Sequence, residues 1–183
     1  MKFKSTVAAF IATVMISLPV GAVAQERLER LMSELQSAED DTAATRLENQ
    51  IISEWSKAGS PAMELLLKRG RDALEVSDTE AALDHFQALT DHAPEFAEGW
   101  HGLALAYFEA DRLGPSLDAL EHVLALNPNH FGALRGVGAI YEQLGQEALA
   151  YEAYERVLTL RPHDPDVIGA LERLDANVKG VTL

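Results

Sequence analysis

The sequence predicts an all-α solenoid: three helix–turn–helix units of 34 residues, preceded by a helical hairpin and closed by a capping helix. Three observations carry this. Pro94, Pro128 and Pro162 recur at a spacing of 34, each closing an apolar stretch (ALTDHAP, VLALNP, VLTLRP). Other columns keep the register: Gly70, Ala104 and Gly138 are small, as are Ala82, Ser116 and Ala150, whereas Phe86, Leu120 and Tyr154 are large and Leu89, Val123 and Val157 branched. Within each unit, apolar residues fall at helical spacing on both sides of a break, and a fixed period of this length marks a repeat architecture.

Residues 1–24 open with Lys2 and Lys4, continue through an apolar run from Val7 to Val20, and end in Ala22-Val23-Ala24. That three-part pattern predicts a secretory signal peptide cleaved after Ala24. The run contains Pro19 and falls short of the roughly 20 residues that span a bilayer, so export is expected, into the periplasm where the host has one, without membrane insertion of the product. Residues 25–62 carry two apolar stripes, Leu28, Leu31, Met32 and Leu35, then Ala44, Leu47, Ile51 and Trp55. Glu48 stands where a large apolar residue would complete the repeat pattern. The segment is therefore a helical hairpin or diverged repeat, expected to dock on the first unit; Glu39-Asp40-Asp41 interrupts it too early for a coiled coil.

The first unit, 63–96, has Ser77-Asp78-Thr79-Glu80 as a capping box opening its second helix. In the second, 97–130, Trp100, Leu103, Ala104, Tyr107 and Phe108 stripe the first helix, and Gly114-Pro115 marks the turn. The third, 131–164, places Leu134, Val137, Ile140, Tyr141 and Leu144 at helical spacing, breaks at Gly145 and restarts at Ala148; Asn129 or His130 offers its N-cap. Residues 165–183 form the cap and tail, with Val167, Ile168, Leu171, Leu174 and Val178 apolar and Asp166, Glu172, Arg173 and Asp175 wet.

The second unit, with Trp100, Leu103, Ala104, Tyr107, Ser116, Leu120, Val123 and Pro128, resembles the tetratricopeptide repeat family. The third matches through Leu134, Val137, Gly138, Tyr141, Ala150, Tyr154, Val157 and Pro162. The first departs at Arg69 and Ala73 while keeping Gly70, Ala82, Phe86 and Pro94. The resemblance implies a right-handed superhelix that binds another protein or peptide on its concave face. In such repeats the first helices line that face through columns two, five, nine and twelve. The groove expected here is Leu67, Arg71 and Leu74, then Glu98, His101, Leu105 and Phe108, then Arg135, Ala139 and Glu142. Glu64, Gly132, Asp166, Gly169 and Arg173 complete the columns. Column nine holds Arg71, Leu105 and Ala139, so the basic and asparagine set that grips a terminal carboxylate in chaperone-binding members is missing. Leu105 and Phe108 either form the apolar centre of this groove or are covered by a neighbouring helix; Arg71 and Arg135 are available to pair with acids on a partner.

Composition narrows the alternatives. With 29 acids against 15 bases the net charge is -14, and a nucleic-acid surface, which depends on Lys and Arg, is not expected. Zero cysteines exclude disulfides, thiolate metal sites and thiol nucleophiles. The six histidines, His85, His92, His101, His122, His130 and His163, form no HxxxH or HExxH pair. No nucleophile elbow or phosphate loop is present. A non-enzymatic adaptor or assembly factor without a cofactor is expected, with a self-associating structural protein of the envelope as the alternative and an enzyme or ligand-binding protein with an unrecognised site as the third reading.

Overall fold

The computed structural model describes residues 20–180, and among them every regular element is an α-helix. The helices are α1 (Val20–Gln36), α2 (Asp41–Trp55), α3 (Pro61–Glu75), α4 (Thr79–His92), α5 (Ala97–Glu109), α6 (Leu113–Leu126), α7 (Phe131–Gln143), α8 (Glu147–Leu160) and α9 (Pro165–Gly180). Most of the expected leader, and the side chain of Val178, lie outside the described residues. The described part of the chain shows α1 continuous across Ala24. No described helix is long and apolar enough to cross a membrane.

Small-against-large columns explain how each pair closes. A Cβ on Gly70 would stand 2.6 Å from the Phe86 ring, and one on Gly138 would stand 2.4 Å from the Tyr154 ring. In the middle unit Ala104 replaces glycine, and the slimmer Leu120 faces it in one apolar cluster. Ser116 fits its small column and donates from Oγ to the Ala104 carbonyl at 2.8 Å, so its hydroxyl is buried but bonded. Between units, Gly102 lets α5 approach α4 so closely that a Cβ would stand 2.2 Å from Phe86.

The turns inside the units share one geometry. Ser77, Asp111 and Gly145 occupy one column and all take left-handed backbone, with φ of 57°, 56° and 70°. At each, two reverse hydrogen bonds close the preceding helix, as in Asp78 N–H to Ala73 O and Ser77 N–H to Leu74 O, both 2.9 Å. Ser77 is therefore spent on the C-terminal stop of α3. The N-cap of α4 is Asp78, whose carboxylate accepts from Ala81 N–H at 3.1 Å, which corrects the expected capping box by one residue.

The hairpin docks elsewhere than expected. Leu31, Leu35, Ala44 and Ile51 are buried in a cluster with Phe131, Leu134, Tyr154, Val157, Leu160 and Val167, so α1 and α2 pack on the third unit and α9. Unit one cannot receive them. The columns that hold Gly99 and Gly102 at the α4–α5 contact hold Leu65 and Lys68 in α3, and Lys68 pairs outward with Asp72 at 2.6 Å. Bulk and charge there bar the close approach that a preceding helix needs. Glu48 finds its reason in the new position: it pairs with Arg161 at 2.7 Å and Arg135 at 3.4 Å. Arg161, almost fully buried, also reaches Asp41 at 2.7 Å and Asp164 at 3.1 Å. Burial of so much charge is tolerable because each ion has partners.

Candidate functional site

A cleft of about 370 Å³ opens between α5, α6 and α7, lined by His101, Ala104, Leu105 and Phe108, by Ser116 and Leu120, and by Gly132, Arg135, Gly136, Ala139 and Ile140. Its origin is a mismatch between facing helices. α7 presents Gly132, Gly136 and Ala139 on successive turns, while α5 presents the large His101, Leu105 and Phe108. The missing side-chain volume is the cleft. Leu105 and Phe108 keep 42% and 39% of their surface open, so the hairpin does not cover them. The volume falls within the roughly 300–1,000 Å³ of ordinary ligand clefts, and the lining is mostly apolar, as such clefts are.

Behind one wall lies a polar network. Glu98 is buried, accepting from His130 Nε2 at 2.9 Å on one oxygen and from Arg71 on the other. His130 caps α7, its Nδ1 accepting from Ala133 N–H at 3.0 Å. Trp55, at the end of α2, stacks on His130 with centroids 4.5 Å apart, and the His101 ring makes a tilted contact with His130, also at 4.5 Å. Arg71 further donates to Ser56 at 2.9 Å. Burial alone would push the Glu98 carboxyl up, but the His130 hydrogen bond and the Arg71 guanidinium hold it below the ordinary range. Burial, aided by the charge of His130, takes His101 down to about 3. It is therefore neutral at physiological pH.

Glu98, His101 and His130 bring three ligand atoms within 4.8 Å of one another. Their hydrogen bonding does not fit a cation. A neutral imidazole that binds metal through Nε2 carries its proton on Nδ1, yet that nitrogen of His130 accepts a backbone N–H. Arg71 places a positive charge on the same carboxylate. The group is instead a brace that joins α2, α3, α5 and α7. Sequence spacing missed it because Glu98 and His101, one turn apart on α5, meet His130 at the start of α7 only across 32 positions.

The expected groove divides accordingly. His101, Leu105, Phe108, Gly132, Arg135 and Ala139 line the cleft. Leu67 is buried at 3% exposure and Leu74 packs on the same first-unit core, so Leu67 offers nothing to a partner. Glu98 is an interior residue. Arg71 and Arg135 do not wait for acids on a partner, because Glu98 and Asp164 already hold them, the latter at 2.7 Å. Glu142 accepts from Tyr154 Oη at 3.0 Å and from Arg173 at 3.1 Å; burial and that carboxylate push the Tyr154 phenol up. Ala104, Ser116, Leu120, Gly136 and Ile140 were missed. The signal that could have found the cleft is the small-residue stripe Gly132, Gly136 and Ala139 opposite a helix with large residues.

A family model described as tetratricopeptide repeat matches residues 67–114 and 116–165. A TPR repeat-containing protein of Rhizobium etli is 35% identical over 140 residues, covering 76% of this chain and 69% of that protein. Among solved structures, the first TPR of Spaghetti (RPAP3) bound to an HSP90 peptide superposes with a TM-score of 0.63 at 22% identity, over 66% of this chain and 95% of that one. MamA does so with 0.61 at 19% identity, over 90% and 87%. The type III secretion chaperone SycD of Yersinia enterocolitica, in complex with a peptide of the translocator YopD, gives 0.60 at 16% identity, over 64% and 95%.

Proposed function

The chain belongs to the tetratricopeptide repeat family, and from that premise we propose that it is a non-enzymatic adaptor or assembly factor whose α5–α7 cleft holds a segment of another protein. The observation that carries this reading is the open apolar pair Leu105 and Phe108 above a pre-formed hollow. A rigid site spends little conformational entropy when it is occupied. Family members work through contacts with other proteins, and two of the similar structures, those of Spaghetti and SycD, hold peptides. The leader-like residues 1–24 support export and a periplasmic partner; an intact Met1 on the exported protein in N-terminal sequencing removes that part of the reading.

Affinity capture from the envelope fraction, with Leu105→Asp and Phe108→Asp as controls, tests the cleft. Loss of the captured protein in both variants, with unchanged circular dichroism, is expected. Undiminished recovery rejects the cleft as the contact surface. Ala139→Trp fills the hollow without disturbing a buried residue and should give the same loss.

A further inference from the structure

The electrostatics of the cleft go further than its shape. Three arginines stand in the concave columns, and each is neutralised by the chain's own carboxylates: Arg71 by Glu98, Arg135 by Asp164 and Glu48, Arg173 by Glu142. An acidic segment would find no free cation among them. The end of the cleft at Phe108 is negative. α3, α5 and α7 end in one column of the repeat, at residues 75, 109 and 143, and each helix C-terminus carries the partial negative charge of its macrodipole. None of the three has a basic residue in its last turn. α3 ends on Glu75 and α5 on Glu109, both exposed, which is the unfavourable sign for a helix C-terminus. Arg112, just beyond α5, is drawn over the Tyr107 ring at 4.6 Å. Nothing in the packing requires Glu75 or Glu109.

We propose that the occupant of the cleft is a basic amphipathic helix. This rests on the reading of the cleft as a protein-binding site and specifies the partner's chemistry. His101 to Phe108 spans about two turns, roughly 10 Å, so the partner presents apolar side chains at i, i+3 or i+4, and i+7 to Leu105, Phe108 and the hollow beside Ala139. Its lysines or arginines face Glu75, Glu109 and the helix C-termini. The -14 net charge of the chain draws such a segment in from a distance.

The test uses two labelled peptides of about fourteen residues with the same leucine face, one with lysine and one with glutamate elsewhere, in fluorescence anisotropy with the full chain. The lysine peptide should bind at least about tenfold tighter, and more weakly as salt rises above roughly 0.1 M. Phe108→Asp separates the cleft from bulk attraction: it adds negative charge, so surface adhesion would strengthen, whereas cleft binding weakens by about tenfold or more. Ala139→Trp should weaken it too, and Glu75→Gln with Glu109→Gln should flatten the salt dependence. Equal or tighter binding of the glutamate peptide, undiminished lysine-peptide binding to Phe108→Asp, or no binding of either peptide overturns the proposal. A glutamate peptide that binds and is lost in Phe108→Asp removes the basic partner while leaving the cleft as a protein-binding site.

Discussion

Ser77, Asp111 and Gly145 do one job with three side chains, and only glycine does it without strain. A left-handed residue bearing a Cβ costs about 1–2 kcal/mol, while glycine costs about 0.5–1 kcal/mol more chain entropy on folding. The strain term is the larger. Ser77→Gly should therefore stabilise by about 0.5 kcal/mol, seen as a rise in Tm of about 1–2 °C for a chain of this size; an unchanged or lower Tm refutes it. His101 gives a pH dependence of determinable sign. Its pKa falls from 6.5 in the unfolded chain to about 3 in the folded one, so the unfolded state binds more protons between those values. Stability is full above about 6.5 and declines as pH falls towards 3, by at most about 1.4 kcal/mol per pH unit. Glu98, held below its ordinary 4.5, stays ionised over the upper part of that window. His101→Gln should flatten the Tm profile between pH 6.5 and 5, and an unaltered slope would exclude His101 as its source.

Helix pairs in this fold are set by contacts a single methyl can upset. At Gly102 two effects oppose each other. Alanine improves helix propensity by up to about 1 kcal/mol, but its Cβ would stand 2.2 Å from Phe86, a fully buried ring that Gly70 also touches closely. Overpacking of that kind costs about 1–3 kcal/mol, so Gly102→Ala should lower stability by about 1–2 kcal/mol in urea unfolding. Pairing with Phe86→Leu should recover part of the loss, because the same column already holds Leu120 against Ala104. No recovery in the double variant would locate the strain elsewhere. α2 is held differently, by Glu48 and Asp41 on Arg161 and by Trp55 on His130, which makes it a strap from the start of α7 to the end of α8.

At the scale of the molecule, both ends of the array are closed chemically. Leu65 and Lys68 occupy α3 columns that hold glycine in α5, and Arg69 the column that holds Leu103. At the other end Glu172 fills the column of Gly70, Ala104 and Gly138, and Asp175 that of Tyr107 and Tyr141, so no second helix can pair with α9 as α8 pairs with α7. Copies of this chain should not stack end to end into a longer solenoid. Light scattering across a concentration series checks this: a mass that grows continuously would restore the self-assembling alternative.

By itself the sequence determined the repeat, its helices, its small-against-large columns and six of the cleft residues, because each of these depends on residues within one period or on the period itself. His130 was legible as a cap for the same reason. Tertiary structure decided the rest. Asp41 and Arg161 meet across 120 positions, and Arg71 and Arg135 are claimed by carboxylates 27 and 29 positions away; no local pattern records which charge will reach which. The hairpin could be placed only once its apolar stripes met a surface that fits them, and burial of Leu31, Leu35, Ala44 and Ile51 on the third unit supplied the free energy that bulk and charge on α3 denied at the first.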